Sequence, residues 1–497
     1  MKTSHNHFVS LLLLLSAIVA TMMIPTDAAA ANVVVDVNGD GEVNIADINA
    51  VIDYILTGET VTPIDLEKDY LSAREFGAVG DGETDDTDAL DHLFEMAFLL
   101  KKAVFFDPGT YLTRRSLLLR SGMEIYGEDA TIKKRRAATT TLTEPAVKGQ
   151  TYINVASTDG FNVGDQFYIH DSGGANLCTY CIVTAVEENR ISFTNIISDH
   201  QSDFPGCIKA YDADTKVSTS FALLRSWSTR YECDGVSIHD LTLDGNRRSS
   251  EPGQWANSCI HMDSYYPPEG YTGTTGIDYR NIQRDMVVRN VVIKNSPCDA
   301  ISDQGAGGLV VRDCIIENAA MHGVHMGTKY SDAVIAGNTM TGNGTRGAGV
   351  FFCQEVNNVL IDNNTITSFN HGCSDEEFGT AARYITIRNN VFTDIRGYVF
   401  DFLKAMGSYH GCGLQISNNQ IVNLNTAMFA GQYLDNVIIS DNTVTSASQQ
   451  PSSIVRVTQS RNVVIAGNEV PSSAIPDNPV NSTETLNLIQ DGNTWNE

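Results

Sequence analysis

The most regular feature of the sequence is a short pattern of alternating apolar and polar positions that ends in Asn or Asp. The residues that end it are Asp240, Asn290, Asp313, Asn338, Asn364, Asn390, Asn419, Asn442 and Asn468. From residue 290 onward the steps are 23, 25, 26, 26, 29, 23 and 26 residues, and the 50 residues from 240 to 290 make two turns. A unit this short cannot bury its own apolar face and must stack on its neighbours. No helical crossover fits in such a step, so the pattern predicts an all-β solenoid of stacked parallel strands.

The recurring Asn and Asp side chains are expected to share one turn position. These residue types tolerate the left-handed backbone conformation, and they can hydrogen-bond to their copies in the turns above and below. Upstream, residues 90–100 form an amphipathic helix pattern that follows a run of Asp and Thr suited to capping it. A helix there would cover the open sheet edge of the first turn. We therefore assign 70–137 to the N-terminal cap and first turns, and 211–497 to the β-helix catalytic domain.

Two other parts of the chain lack the solenoid period. Residues 138–210 break it, and we interpret them as a β-rich insertion that forms one wall of a groove. Residues 1–31 have a basic start, an apolar run from Phe8 to Ile24 and small residues at 28–31, which is typical of a secretory signal peptide. The run is shorter than the ~20 residues of a spanning helix. The protein is therefore expected to be secreted, extracellular or periplasmic, without a membrane span.

An oxygen-rich loop follows the predicted cleavage site. Its candidate Ca²⁺ ligands are Asp36, Asn38, Asp40, the carbonyl of Glu42, Asn44 and Asp47. Gly41 permits the sharp turn that such a loop needs, and Ca²⁺ takes six to eight oxygens. An Asp/Asn/Gly turn without metal is the alternative, and it would leave three carboxylates unneutralised. Residues 32–58 resemble a single dockerin repeat, which implies structural Ca²⁺ and a cohesin-type partner, although dockerins carry two repeats. Residues 59–69 are interpreted as a linker.

Charge and cysteine content narrow the classes of function. Sixty acidic and 33 basic residues give a net charge of −27. This charge argues against nucleic acid and anionic membranes as partners, and a polyanionic glycan would need a basic groove or bridging cations. The ten cysteines lack the dense spacing of a disulfide scaffold, so most are expected to be buried thiols. Cys178 and Cys181 could pair or bind a metal.

Two N-terminal segments carry a resemblance to a known family. Phe76-Gly-Ala-Val-Gly-Asp-Gly-Glu-Thr-Asp-Asp-Thr87, followed by Phe-Asp-Pro-Gly-Thr-Tyr111, resembles the N-terminal signature of the pectate-lyase-like superfamily. That superfamily includes polygalacturonase-type hydrolases and phage tailspikes. The resemblance covers Tyr70 to about Trp495, apart from the insertion. It implies a right-handed parallel β-helix and a polysaccharide substrate.

Six segments align as copies of one strand in successive turns. They are 258–263, 299–304, 322–327, 348–353, 371–376 and 397–402. The third position is apolar throughout and is expected to point inward: Ile260, Ile301, Val324, Val350, Cys373 and Val399. The flanking positions are then expected to face outward or to lie at strand ends, and neighbouring turns lie ~4.8 Å apart. They hold Asp299, His322 and His371 on one side, and Asp263, Asp303, Asp375 and Asp401 on the other.

This inventory suits glycoside hydrolysis, which needs two carboxyl groups at the scissile bond. Crowded carboxylates raise one another's pKa, and a nearby His can orient or share the proton. We predict the catalytic residues Asp299, Asp303, His322, His325 and Asp375. Predicted substrate-binding residues are Trp255, His261, Asp263, Glu355, His371, Glu376, Glu377, Asp401 and Lys404.

The polygalacturonase-type enzymes offer a partial parallel. Asp299-Ala-Ile and His322-Gly-Val-His-Met-Gly resemble their Asp-Gly-Ile and Gly-His-Gly segments, which implies catalytic roles for Asp299 and His322. The family's Asp-Asp pair and its downstream Arg-x-Lys are missing here, which argues against pectin as the substrate.

Three functions stay open at this point. The first is glycoside hydrolysis by paired carboxylates. The second is a Ca²⁺-dependent polysaccharide lyase for a uronate-containing glycan, with Lys404, Arg383 or Arg396 as base and the acidic run at 375–377 as the ion site. The third is a non-catalytic glycan-binding β-helix, since the inference of a glycan rests partly on analogy of fold.

Overall fold

The computed structural model describes most of the chain from residue 68 onward. The described residues are 68–170, 178–196, 206–226, 233–248, 257–262, 284–305, 307–327, 330–344, 346–353, 356–375, 382–403 and 411–496. The signal peptide, the calcium loop and nearly all of the linker lie outside them. Residues Asp65–Glu497 form one compact unit.

Three parallel sheets run along this unit, and successive turns contribute neighbouring strands to each sheet. Sheet A comprises Tyr70–Ser72, Ala103–Phe106, Glu124–Gly127, Ser237–His239, Val287–Arg289, Val310–Arg312, Ser331–Ala336, Asn357–Asp362, Arg383–Arg388, Gly411–Ser417, Leu434–Ser440, Arg461–Ala466 and Leu486–Asp491. Sheet B comprises Asp81–Asp85, Gly109–Thr113, Ala130–Lys134, Thr242–Asp244, Val292–Lys294, Ile315–Ala319, Thr339–Gly342, Thr365–Thr367, Val391–Thr393, Gln420–Val422 and Thr443–Val444. Sheet C comprises Leu117–Leu119, Leu224–Ser226, Ile260–Met262, Ile301–Asp303, Val324–Met326, Ala348–Phe352, His371–Asp375, Phe400–Phe402, Phe429–Gln432, Val455–Thr458 and Val480–Asn481.

The core is a set of apolar columns inside these sheets. In sheet A, for example, Ile238, Val288, Val311, Ile335 and Ile361 pair in register from turn to turn, and all are fully buried. Because side chains alternate across a strand, one residue in two enters the core and its neighbours face outward. The prediction of an all-β, right-handed parallel β-helix is confirmed.

The predicted capping helix is also present, as α1 over Thr87–Leu100. It buries Leu90, Leu93, Phe94 and Ala97. Its N-cap residue, Asp86, does not cap it: the Asp86 carboxylate accepts the backbone N–H groups of Val79 and Gly80 instead. Among the described residues, no helix is long and apolar enough to cross a membrane.

The predicted β-rich insertion forms a separate antiparallel sheet, sheet D. Its strands, in spatial order, are Thr139–Thr141, Lys216–Ser218, Gln166–Ile169, Thr179–Glu187, Arg190–Asn195 and Tyr152–Asn154. Sheet D includes the strand Lys216–Ser218, which pairs with Thr139–Thr141. The insertion therefore extends beyond its predicted end at residue 210. Two 3-10 turns, Ser472–Ala474 and Thr494–Asn496, lie near the end of the chain.

A buried ladder of asparagines runs along one corner of the solenoid. Each side-chain amide donates to the side-chain carbonyl of the next member at 2.9–3.0 Å, and the backbone N–H donates to the same oxygen. The members are Asn338, Asn364, Asn390, Asn419, Asn442, Asn468 and Asn493. The ladder satisfies polar backbone groups that the turn would otherwise bury unpaired.

The repeat found in the sequence treats two neighbouring turn positions as one. The residues with left-handed φ precede the ladder: Asp240, Asn290, Asp313, Gly337, Asn363, Asn389, Asn418, Asp441 and Gly467. The expectation that one position combines both properties holds for Asp240 and Asn290, which have left-handed φ and are joined by a hydrogen bond from Asn290 Nδ2 to Asp240 Oδ1. From Asn338 onward it is wrong, because the ladder residue follows the residue with left-handed φ.

Asn419→Ala is expected to lower the free energy of unfolding by about 2–4 kcal/mol, because it leaves buried hydrogen-bonding groups without a partner. Asn390 would lose the acceptor of two N–H groups, and Ile387 would lose a donor to its carbonyl. Urea unfolding followed by circular dichroism measures the change. Gln420→Ala, at the exposed next residue, is the matched control and should change stability by less than about 0.5 kcal/mol.

Candidate active site

The outer face of sheet C collects the chemically reactive side chains. Its inward column pairs Ile260, Ile301, Val324, Val350 and Cys373 in register, as the alignment predicted, and continues at Phe400. Each residue that follows an inward one points outward. This outward column is Arg225, His261, Ser302, His325, Phe351, Ser374, Asp401, Ala430 and Arg456.

Asp303 and Asp375 lie at the ends of their strands, and with Asp401 they do not form one outward column. Asp303 and Asp375 share the parity of the inward column and are buried, with 4% and 2% of their surfaces exposed. Asp401 pairs with Ser374, so it belongs to the outward column and not with Asp303 and Asp375. The alignment was one residue out in that turn, because Phe400 and not Val399 continues the inward column.

Asp303 is enclosed in the interior by two hydrogen bonds. Its carboxylate accepts the Tyr330 hydroxyl at 2.7 Å and the Gly305 backbone N–H at 2.8 Å. Burial raises the pKa of Asp303 to about 6, against the opposing effect of these hydrogen bonds. The Asp303 side chain therefore lies in the core, and it does not form the predicted pair of catalytic carboxyl groups with Asp299.

The centre of the site is a contact between Asp299 and His325. The Nδ1–H of His325 donates to Asp299 Oδ2 at 2.8 Å, and the backbone N–H of His322 donates to Asp299 Oδ1 at 3.0 Å. Asp299 is 1% exposed and His325 is 9% exposed. Two of the predicted catalytic residues therefore form one buried dyad, with a third at its edge.

The two groups hold each other in their charged forms. Burial tends to raise the pKa of Asp299, but the His325 imidazole and the hydrogen bonds outweigh it, and the pKa is lowered. Burial also tends to lower the pKa of His325, but the charges of Cys353 and Asp299 hold that pKa well above its usual value. The arrangement is an ionised carboxylate that orients a protonated imidazole.

His322 is fixed beside this dyad by its own contacts. Its Nδ1 accepts the backbone N–H of Ala348 at 3.0 Å, which places its proton on Nε2. Its ring stacks on Phe351 with centroids 4.0 Å apart, and the His325 ring meets the same phenyl edge-on at 5.0 Å. Phe351 thus forms an apolar wall between the two imidazoles and the next turn.

Sequence reasoning missed two groups that touch His325. The Sγ of Cys353 lies 3.1 Å from His325 Nε2, and the side-chain nitrogen of Gln304 lies 3.5 Å from the same atom. In the six-segment alignment, Gln304, Gly327 and Cys353 occupy the last column in consecutive turns. A Cβ at Gly327 would lie 2.7 Å from Gln304 Oε1, so the glycine makes room for the amide. This last column of the alignment could have predicted that Gln304 and Cys353 lie near His325.

A second dyad lies two to three turns further along sheet C. His371 Nδ1 is 3.4 Å from Asp401 Oδ2, and the His371 ring packs near Tyr398. Toward the N-terminal end of sheet C, the buried His261 pairs in register with Arg225 of the neighbouring turn. The Arg225 guanidinium faces the Tyr180 ring of the insertion. Tyr180 of the insertion therefore contacts one end of the outward column.

The remaining predicted site residues lie outside the described parts of the chain. They are Trp255, Asp263, Glu355, Glu376, Glu377 and Lys404, together with the calcium ligands Asp36, Asn38, Asp40, Glu42, Asn44 and Asp47. All ten cysteines are described; all are free thiols, including Cys178 and Cys181, and nine are buried. In the ranges that the structure describes, no three His, Cys, Asp or Glu residues are grouped to hold a metal ion.

The buried Asp303 gives a pH-dependent contribution to stability. Its pKa rises from 3.8 to about 6 on folding, so between these values the folded chain keeps a proton that the unfolded chain releases. The free energy of unfolding should fall by about 3 kcal/mol as the pH rises through this interval. Urea unfolding from pH 4 to 7 should show this decrease in the wild type relative to Asp303→Asn. An equal slope in both proteins would contradict it, and Asp441→Asn, at an exposed turn, is the control.

Comparison with known proteins gives two family-model matches. Residues 70–197 match a model described as "Rhamnogalacturonase A/epimerase, pectate lyase-like", and residues 275–470 match one described as "Right handed beta helix region". No curated protein matches the sequence.

Solved structures with the same kind of architecture have low sequence identity to this chain. A surface adhesin of Streptococcus pneumoniae, PfbA, is 13% identical with a TM-score of 0.47, over 85% of this chain and 92% of its own. An exopolygalacturonase from Thermotoga maritima is 14% identical with a TM-score of 0.44, over 89% and 96%. A mannuronan C-5 epimerase module from Azotobacter vinelandii is 15% identical with a TM-score of 0.40, over 84% and 98%. These likenesses do not decide the activity. By these matches, residues 70–197 are similar to a pectate-lyase-like family and residues 275–470 are similar to right-handed β-helix proteins.

Proposed function

We propose that the protein is a secreted polysaccharide-degrading enzyme, a glycoside hydrolase whose acid–base group is His325. The observation that carries this proposal is the buried Asp299–His325 dyad, with its 2.8 Å hydrogen bond, on the outer face of sheet C. A long solenoid face offers an extended chain of sugar rings a continuous surface. An oriented proton donor on that face is what cleavage of a glycosidic bond needs at the leaving oxygen.

The structure favours an imidazolium as the donor over the predicted pair of carboxylic acids. Asp299 accepts hydrogen bonds from the His325 ring, the His322 backbone N–H and the Cys298 thiol. Its pKa is lowered, so it stays ionised and cannot donate a proton near neutral pH. His325 carries the proton and has a raised pKa. Asp299 therefore orients the ring and stabilises its charge, while Nε2 of His325 is the atom that delivers and later recovers the proton.

Beyond His325, the His371 side chain is 20% exposed and can contact a further sugar ring. Asp401 lies three turns from His325 and His371 lies two, distances of roughly 14 and 10 Å at ~4.8 Å per turn. Asp401 is therefore too far from His325 for the two groups to flank one scissile bond, where the groups stand within ~10 Å. We therefore assign His371 and Asp401 to substrate binding, as the sequence predicted.

Incubation with a panel of neutral and acidic glycans tests this function. We expect new reducing ends without ultraviolet absorbance from unsaturated uronides. Asp299→Asn is expected to lower kcat by roughly 10²–10⁴-fold, because the ring loses its orienting charge. Asp441→Asn, the same exchange at an exposed turn, should leave the rate unchanged.

Two other outcomes of that panel would overturn hydrolysis. Chelator-sensitive absorbance from unsaturated products would establish a lyase and move the reactive centre toward the acidic run at 375–377. Binding without turnover by the wild type would establish a glycan-binding module instead.

We further propose that the chain is exported by residues 1–31 and that its N-terminal loop binds one structural Ca²⁺. Calorimetric titration of the full chain should show a site whose affinity falls at least about tenfold in Asp40→Asn, because the charge of the ligands sets Ca²⁺ affinity. Asp53→Asn, just beyond the loop, is the control. Equal affinity in the Asp40 variant and the wild type would refute the loop as the site.

A further inference from the structure

Cys353, His325 and Asp299 form a continuous relay across three turns of sheet C. Cys353 Sγ is 3.1 Å from His325 Nε2, and His325 Nδ1 is 2.8 Å from Asp299 Oδ2. The thiol and the carboxylate thus contact opposite nitrogens of one imidazole. A nucleophile that touches a base, whose other nitrogen is held by an acid, is the arrangement that nucleophilic acyl transfer requires on any fold.

We propose that Cys353 is the nucleophile of an acyl-transfer site that hydrolyses small carboxylic esters, namely O-acetyl groups carried by a polysaccharide. That the acetylated alcohol is a polysaccharide rests on the function proposed above. The role of Cys353 as a nucleophile depends only on the contacts among Cys353, His325 and Asp299.

The environment of Cys353 differs from that of the structural thiols. Cys233, Cys314 and Cys181 donate to backbone carbonyls of Leu119, Arg312 and Thr179, contacts that retain the proton on sulfur. Burial raises the pKa of Cys207 and Cys314 to about 11, and that of Cys233 and Cys259 to about 12. The sulfur of Cys353 faces a ring nitrogen instead, which can take its proton and leave a thiolate.

The spacing separates acyl transfer from a thiol-based glycosidase. In a retaining glycosidase the acid and the nucleophile stand ~5–5.5 Å apart with the glycosidic bond between them. The 3.1 Å contact between Sγ and Nε2 leaves no such gap. It is the direct hydrogen bond by which a base activates a nucleophile toward a carbonyl carbon.

The reaction balances without any further reagent. The Sγ thiolate attacks the ester carbonyl carbon, and the C=O π electrons move to the oxygen. Collapse of this intermediate breaks the bond to the alkoxide, which takes the proton from His325 Nε2 and leaves an acetyl thioester on Cys353. Water then gives a proton to Nε2 and adds to the thioester carbonyl, and Sγ departs as thiolate with release of acetate.

Two features restrict the acyl group and assist its oxygen. Cys353, His322 and His325 each have 9% of their surface exposed, and Phe351 contacts both imidazoles. We therefore expect the site to accept a short acyl chain in preference to a long one. The Gln304 amide lies at the sulfur side of the ring, 3.5 Å from Nε2. A side-chain amide N–H in this place can donate to the developing oxyanion.

The first test is turnover of p-nitrophenyl acetate by the full-length protein. We expect multiple turnovers per chain, an acetyl group on Cys353 trapped by acid quench and located by mass spectrometry, and little turnover of p-nitrophenyl octanoate. Cys353→Ala should reduce the rate to that of buffer, and Asp299→Asn should lower kcat by roughly 10²–10⁴-fold. Cys412→Ser, at a partly exposed cysteine outside the relay, should keep the wild-type rate.

A second measurement does not depend on any variant folding correctly. Iodoacetamide at about pH 6, well below the ~8.5 pKa of a free thiol, should alkylate Cys353 in the native wild type faster than Cys412. Alkylation of Cys353 no faster than Cys412, or wild-type turnover by a folded Cys353→Ala, would overturn the proposal. Glycan cleavage followed on the same preparations reports separately on the proposed hydrolase. Acetate release from acetylated glycans tests the link between the two.

Discussion

The backbone hydrogen bonds between successive turns determine where the functional side chains lie. Parallel strands stack at ~4.8 Å in fixed register, so residues distant in sequence become direct neighbours. Asp299, His325 and Cys353 come from three consecutive turns of sheet C and meet because Ile301, Val324 and Val350 pair in register beneath them. A shift of one residue in any of these turns would move a side chain between the core and the outer face.

Polar groups inside the solenoid are tolerated where each finds a defined partner. The asparagine ladder satisfies the turns at one corner, and the Tyr330 hydroxyl and Gly305 N–H satisfy the Asp303 carboxyl. The Asp299–His325 dyad uses the same principle for two charges, since each offsets the desolvation of the other. The difference is place: His325 lies in the outward column, where its second ring nitrogen contacts the Cys353 thiol.

The site thereby combines two kinds of chemistry around one imidazole. Asp299 fixes the ring orientation on one side, and Cys353 and Gln304 contact its opposite nitrogen. Phe351 packs against the rings of both histidines, and a low local dielectric strengthens the interactions between charged groups. The absence of a side chain at Gly327 leaves the space in which the Gln304 amide lies. The outer face thus carries an imidazole whose two nitrogens both have fixed partners.

The sequence alone determined the architecture, because a period of 23–29 residues with alternating apolar positions has few ways to bury its surface. It also identified Asp299, His322 and His325 as neighbours, since aligned turns place them within a few ångströms of one another. It did not determine which face each acid occupies. The inward direction of Asp303 and Asp375, the one-residue shift at Asp401 and the contact of Cys353 with His325 depend on the exact strand register and on side-chain rotamers. Tertiary packing decides the register and the rotamers. A turn of variable length can start its strand one residue earlier or later without changing the alternation of apolar and polar residues.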